Sequence, residues 1–333
     1  MNAPELRRNP TDGRWVIVSA DRGKRPSDLK SAAVQSQKES CPFCPGNENK
    51  TPSEIFAAGD TARAPNTPEW RERIFYSLNP VVSLEEELDR QGEGMFDMMS
   101  GFGVHEVIVN TPLHEDSIAT MPLEQLNELI LLWKSRLHKL RANPNLKFAM
   151  VFGNRGEKAG ATIEHSHSQI IATPAVPYRV AIEITTGYDY FISREKCVFC
   201  DIFENEIGGE RCLWENGNFI VICPYAPRFP YELWIIPKRH SSHFDETEDS
   251  DLAGLASAFQ SAVKALNKTL NDPPYSFVLH SAPFIEKRMV HYHWHFEIMP
   301  RLSNVAGFEW GTGFYINSVP PEVACSTLKE SLK

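Results

Sequence analysis

The chain has 333 residues, of which 42% are hydrophobic and 23% charged, with a formal net charge of −9. That length suits about two domains of roughly 150 residues, and the acidic balance excludes a general nucleic-acid binder, which would show a basic surface. No apolar run approaches the roughly 18 residues of a spanning helix, so no membrane segment is expected.

The opening Met1-Asn2-Ala3-Pro4-Glu5-Leu6-Arg7-Arg8 lacks the apolar core of a secretory signal, and the expected location is cytoplasmic. The first C-x-x-C pair, Cys41 and Cys44, follows. Residues 59–70 and 83–101 are rich in Pro, Gly and acidic side chains and are expected to run over the surface. An apolar strand, Val107 to Thr111, ends at Pro112, with His114 just beyond. Pro122 suits the first turn of a helix. Leu126, Leu129, Ile130, Trp133, Leu137 and Leu140 then recur at three- and four-residue spacing, and Asn143-Pro144 stops the helix. A strand over Lys147–Phe152, a glycine-containing loop and a strand from His165 to Ala172 complete the first half.

The same order then repeats. Cys197 and Cys200 form the second C-x-x-C pair, Leu233–Ile236 is a strand ended by Pro237, and His240 stands beyond it, with His243 as a competitor. Leu252, Leu255, Phe259, Val263, Leu266 and Leu270 mark one helix, ended by Asp272-Pro273-Pro274. Strands over Tyr275–Leu279 and His293–Met299 follow. The lone His precedes the His-x-His pair by 51 residues in the first copy and 53 in the second. Pro174, Pro177 and Gly187 break the pattern between the copies, so the units are read as 1–180 and 190–333. The expected fold is α+β: two tandem halves, each an antiparallel sheet with a packed helix.

Four of the seven cysteines lie in C-x-x-C pairs and the total is odd. With no export signal, that spacing points to metal rather than disulfides. Cys41, Cys44, His114 and His165 would make one Cys2His2 site, and Cys197, Cys200, His240 and His293 a second. Such saturated sites are structural, and thiolate with imidazole favours zinc, giving two structural ions per chain. Each copy then retains one spare histidine. Along a strand His165, His167 and Gln169 share a face, while Ser166 and Ser168 take the other. Neutral imidazole suits attack on phosphorus, provided one ring nitrogen is held as N–H and the other left free. Gln169 could donate to a phosphate oxygen. In the feeding segment Phe152–Thr162, three glycines, Gly160 among them, combine with Asn154, Arg155, Lys158 and the Thr162 hydroxyl as a phosphate cradle. The second copy has Glu297 at the Gln position and no glycine in its loop, so only the first is expected to react. His105, His138, His280 and His291 lack context and read as surface or packing residues, and Cys212, Cys223 and Cys325 as small hydrophobes.

At these residues the chain resembles the galactose-1-phosphate uridylyltransferase family, a duplicated branch of the histidine-triad superfamily, from about Glu5 to Pro321. His165-Ser166-His167-Ser168-Gln169 with two Cys2His2 sites is similar to the plant-type ADP-glucose phosphorylases, whereas the uridylyltransferases proper usually show His-Pro-His-Gly-Gln. The resemblance implies ping-pong transfer of a nucleoside monophosphate through His167. The partners it implies are a nucleotide sugar and a hexose 1-phosphate or inorganic phosphate. It also implies a homodimer that lends arginines across the interface. The start Asn9-Pro10-Thr11-Asp12-Gly13-Arg14-Trp15 matches the family, and the following stretch makes Arg22 and Arg25 the candidate arginines. Gly307-Phe308-Glu309 resembles the hexose-binding segment, with Glu309 accepting sugar hydroxyls. At Ser77-Leu78-Asn79-Pro80 the chain departs from the Asn and aromatic that border the nucleoside in relatives, which leaves the base open. The expected activity is ADP-glucose phosphorolysis, with uridylyl exchange as its rival. A nucleotide hydrolase and a non-enzymatic zinc module are more remote.

Overall fold

The structure is a computed structural model describing residues 4–20, 40–59, 62–285 and 287–332. Strands β1 (Glu5–Arg8) and β2 (Trp15–Val18) pair first. β3 (Glu54–Gly59), β4 (Trp70–Tyr76), an exposed hairpin of β5 (Arg90–Glu93) and β6 (Phe96–Met99), and β7 (Val104–Val109) follow. Helix α1 (Leu123–Arg141) leads to β8 (Phe148–Arg155) and β9 (His167–Thr173). Helices α2 (Tyr178–Arg194) and α3 (Val198–Glu206) carry the chain to β10 (Cys212–Glu215), β11 (Phe219–Ile222) and β12 (Leu233–Pro237). Then come α4 (Asp249–Leu252), α5 (Leu255–Leu270), β13 (Tyr275–His280) and β14 (His295–Pro300). The last elements are α6 (Gly307–Thr312), β15 (Tyr315–Asn317) and α7 (Pro321–Leu332).

The α+β class and the two tandem halves hold, with one addition. The halves have the same strand order, β3-β4-β7-β9-β8 and β10-β11-β12-β14-β13, and fuse where β8 pairs antiparallel with β13. A ten-stranded sheet results. An unpaired β8 or β13 would expose a row of backbone donors and acceptors, and pairing them removes that edge. The core is shared as well: α1 and α5 lie on one face and Trp133 packs against Phe259, Phe277 and Phe296 of the other half. The predicted apolar stripes are buried, with Leu126, Leu129, Ile130, Trp133 and Leu137 on α1 and Leu255, Phe259, Val263 and Leu266 on α5, while Leu270 at the end of α5 is half-buried. Among the described residues no helix is long and apolar enough to cross a membrane.

Several local expectations change. β8 runs on through Gly153, Asn154 and Arg155 because these residues pair with β13. A Cβ on Gly153 would lie 2.3 Å from the Phe277 ring, so this glycine makes room for packing rather than for a phosphate. The second long helix is interrupted at Gly254, whose φ of 88° is left-handed, separating α4 from α5. The stretch containing Pro177 and Gly187 is helix α2. Pro177 caps its start, and Gly187 lets it approach the His291 carbonyl, where a Cβ would lie 2.5 Å from the oxygen. Both His-x-His strands begin at the second histidine, His167 and His295, so His165 and His293 sit just outside the ladder.

Candidate active site and metal clusters

Cys41 and Cys44 lie in a turn closed by the Cys44 N–H on the Cys41 carbonyl, which also accepts from the Asn47 amide at 2.8 Å. His114 stands beyond β7 and His165 before β9. These four residues offer donor atoms all within 4.8 Å of one another, and so do Cys197, Cys200, His240 and His293. Both groups could hold a metal. In the first, the Sγ to Nδ1 distances are 3.3 Å for Cys44–His114 and 3.6 Å for both Cys41–His165 and Cys44–His165. A tetrahedral ion with the usual metal–sulfur and metal–nitrogen lengths separates such atoms by about 3.5 Å, so the donors fit. The far ring nitrogens face carbonyls: His165 Nε2 lies 2.7 Å from the Thr111 oxygen and His240 Nε2 3.1 Å from that of Met289. Such contacts fix the tautomer that leaves Nδ1 for a metal. His243 is excluded as a ligand, being engaged by the Ser242 hydroxyl at 2.8 Å and the Pro283 carbonyl at 3.1 Å.

His167 is the first residue of β9, on the partly open face with Gln169, while Ser168 faces the core. Its Nδ1–H donates to the His165 carbonyl at 2.9 Å, leaving Nε2 as the free nitrogen. The Phe43 ring, between the two thiols in sequence, lies 5.2 Å from the His167 ring and 6.3 Å from that of His165. Burial pushes the His167 imidazole below its ordinary range, partly opposed by the carbonyl contact. On the core side Trp133 donates to the Ser168 hydroxyl at 2.9 Å, that hydroxyl donates to Asn110 at 2.8 Å, and Asn110 donates to Ser166 at 3.2 Å. The serines brace the strand, and the histidine is left to the open face.

The β8–β9 ladder ends at Phe152 opposite Gln169, and carrying its count two residues further brings Asn154 toward His167. Both line a pocket with Arg155, Glu164 and Ser166. Gly160 is next to Asn154, since a Cβ there would lie 4.0 Å from the amide nitrogen, and its φ of 90° suits glycine. Thr162 is exposed at a bend, and no described contact joins it to His167. Arg155 pairs with Asp272 at 2.6 Å. Glu309 accepts from the Ala306 N–H at 3.1 Å, capping α6, with no described contact to His167. Arg22 and Arg25 lie outside the described residues.

The second copy is closed. His295 repeats the Nδ1 contact with the His293 carbonyl at 3.1 Å, but it is 1% exposed. It lies against Phe199 and Trp234 and stacks on His280 at 4.7 Å. Glu297 is bonded by Arg228 and by His280 Nε2 at 3.2 Å, and His280 Nδ1 meets Glu183 at 3.0 Å. Glu183, His280, His295 and Glu297 also bring metal-type donors within 4.8 Å; their carboxylates are neutralised here by Arg228 and His280. Sequence reading missed this group and missed His105, whose Nε2 lies 2.8 Å from Gln169 Oε1. The one available signal was the change from Gln169 to Glu297, which demanded a compensating cation.

Residues 1–177 match the galactose-1-phosphate uridyl transferase N-terminal domain, and residues 183–317 match the C-terminal domain. An ADP-glucose phosphorylase from Arabidopsis thaliana is 35% identical over 98% of this chain and 93% of its own. A galactose-1-phosphate uridylyltransferase from Thermotoga maritima is 33% identical over 98% of both. The crystal structure of an Arabidopsis thaliana ADP-glucose phosphorylase with bound ADP-glucose superposes with a TM-score of 0.86, at 33% identity, over 98% of this chain and 99% of that one. With both domains matched in order and relatives of this identity along the whole length, the chain belongs to the galactose-1-phosphate uridyl transferase family, whose named members are nucleotidyltransferases acting on nucleotide sugars.

Proposed function

We propose that the protein is an ADP-glucose phosphorylase working through a nucleotidyl–His167 intermediate. The observation that carries this is the pair of histidines with one backbone contact in common: His167 keeps Nε2 on an open face beside Asn154 and Gln169, while His295 is sealed. His167 Nε2 attacks the α-phosphorus; the N–P bond forms as the P–O bond to glucose 1-phosphate breaks. Gln169, Asn154, Gly160, Thr162 and the candidate arginines Arg22 and Arg25 stabilise the charge on phosphorus. Inorganic phosphate then takes the nucleotidyl group, releasing ADP and free His167. Glu309 accepts hydroxyls of the hexose.

The two Cys2His2 clusters are assigned to structural zinc, one ion in each, in repeat units running over 1–180 and 190–333. A structural ion fixes ligand positions without entering the reaction. Thiols kept for metal fit a reducing compartment, in line with a cytoplasmic enzyme that has no nucleic-acid or membrane partner. A homodimer is the proposed assembly, as the family resemblance implies, and Leu78, Met95, Phe96 and Met98, 62–86% exposed, offer it apolar surface. Uridylyl exchange between UDP-glucose and a hexose 1-phosphate is the second reading, favoured by the Thermotoga relative.

The test is incubation with ADP-glucose or UDP-glucose labelled at the α-phosphate, without acceptor. The expected product is acid-labile, base-stable label on protein that is absent in His167→Ala and chased into ADP by phosphate. No label from either nucleotide would refute the covalent route. A chase by galactose 1-phosphate alone would favour the second reading.

A further inference from the structure

Gln169 can help a phosphate only if its carboxamide presents N–H rather than carbonyl, and nothing in its own strand decides that. The neighbouring strand does. The Val81 N–H donates to His105 Nδ1 at 3.3 Å, which makes Nδ1 the acceptor and leaves Nε2 to carry the N–H. That Nε2–H faces Gln169 Oε1 at 2.8 Å. The amide orientation thus follows from the backbone donor on the far side of the imidazole. His105 is itself held, 8% exposed, with its own carbonyl taking the Ser77 N–H at 2.8 Å.

The second half supplies a control. Val107 opposes Gln169, and Trp234 opposes Glu297. Two residues before each lie His105 and Glu232, so these two occupy matching positions. Where Gln169 is exchanged for Glu297, His105 is exchanged for Glu232, and Arg228 bonds both carboxylates. The pair changes as a unit: an imidazole bonded to an amide in one half, two carboxylates bridged by a cation in the other.

We propose that His105 is a positioning residue for nucleotidyl transfer, locking the Gln169 carboxamide with both N–H donors available to the phosphate. This rests on the reading of Gln169 as a phosphate contact. Without the lock the amide can turn its carbonyl oxygen to the anion, forfeiting a transition-state donor and adding repulsion.

The experiment is single-turnover labelling with α-labelled ADP-glucose and UDP-glucose in a double-mutant cycle. His105→Asn keeps an acceptor for Val81 but is too short to reach Gln169. It is expected to slow labelling about 10- to 100-fold, somewhat less than outright loss of an oxyanion donor. His105→Gln, which can still donate to Oε1, is expected to recover to within about threefold. In a Gln169→Ala background His105→Asn should cost less than about twofold more, because the two residues act through one contact. A structural role alone would cost the same in both backgrounds, and that result would overturn the proposal, as would wild-type labelling by His105→Asn. If the wild type takes no label from either nucleotide, the functional reading falls and this inference with it. If the wild type labels and Gln169→Ala is slow while His105→Asn is not, only His105 is wrong.

Discussion

Around His167 stand Asn154 in the same pocket, Gln169 two residues on along the strand and His105 behind Gln169. Around His295 the matching positions carry His280, Glu297 and Glu232. The backbone device that frees Nε2 is retained in both, since each histidine donates to the carbonyl of the histidine two residues before it. What differs is charge and access. The first half keeps the amides of Asn154 and Gln169 on a partly open face; in the second, Glu297 bonds Arg228 and His280 while Phe199 and Trp234 lie against His295. A duplicated site can thus lose its pocket while keeping its scaffold. The difference teaches that the same backbone contact can hold a histidine in a half-buried place or in a sealed one, so the contact alone does not mark a reactive residue.

The sharpest way to break this comparison is to remove each histidine in turn. His167→Ala should abolish labelling, a loss of about 1,000-fold or more for a residue that forms the covalent bond. His295→Ala should label at a rate within about threefold of wild type per folded molecule, a small change for a residue outside the reaction. Comparable losses in both, measured on protein shown to be folded by circular dichroism, would mean the second half shares in the chemistry.

Metal removal should divide the halves differently. Cys41→Ala and Cys197→Ala are each expected to lower stability by about 4–6 kcal/mol, less than the roughly 10–16 kcal/mol that zinc gives an isolated finger, because the remaining fold persists. Only Cys41→Ala should also slow labelling, since His165 both belongs to that cluster and supplies the carbonyl holding His167. Denaturant titration and labelling rate, taken together with a metal assay, distinguish the two effects. Equal slowing by Cys197→Ala would contradict the separation.

What was legible in the sequence was local. The thiol and imidazole spacings, the helical stripe on α1 and the strand alternation that sends Ser168 inward all follow from neighbours within a few residues. Long-range pairing was not legible. The fusion of β8 with β13 depends on two edges finding each other, and His280 reads as a packing residue because its partner Glu183 is 97 residues away. His105 has the same difficulty, with Gln169 64 residues on. Glycine was ambiguous for a related reason. Gly153 reads as part of a phosphate loop and Gly187 as a breaker, yet both are small because Phe277 and the His291 carbonyl approach from distant segments. Thr162 and Glu309 match patterns, but within one chain no described contact carries them to His167.

The charge network of the second half offers the next test. Arg228 is 4% exposed and bonds both Glu297 and Glu232. Arg228→Met would leave two buried carboxylates without their cation, and breaking a buried pair from one side costs about 3–5 kcal/mol. Adding Glu297→Gln and Glu232→Gln should recover most of that loss, because the uncompensated charges go with the cation. Urea unfolding of the single and triple variants measures both. If the triple variant is no more stable than Arg228→Met, charge is not what holds this region together. Labelling through His167 should persist in every variant that folds.

The smallest expected effect is a pH dependence belonging to the second half. Burial alone would push the His280 imidazole down, but Glu183 and Glu297 on either side outweigh it and hold it up at about 9. In the unfolded chain the same ring titrates near its ordinary 6.5. The folded state therefore binds this proton more tightly. The stabilisation is complete below about 6.5 and is lost as pH rises toward 9, amounting to on the order of 3 kcal/mol. Carboxylates limit the other side: burial opposes ionisation of Glu183, yet His280 holds it below its ordinary range, so its contribution fades in acid. Stability should consequently peak between the carboxylate and imidazole ranges and decline between pH 6.5 and 9. His280→Gln, which keeps hydrogen bonding but not the charge, should be less stable than wild type at pH 6 and nearly flat across the alkaline window. A wild-type melting temperature independent of pH from 6.5 to 9 would mean that His280 is not protonated in the fold. The neutralisation of Glu297 would then rest on Arg228 alone, and the contrast between its charge network and the uncharged amide of Gln169 would be correspondingly weaker.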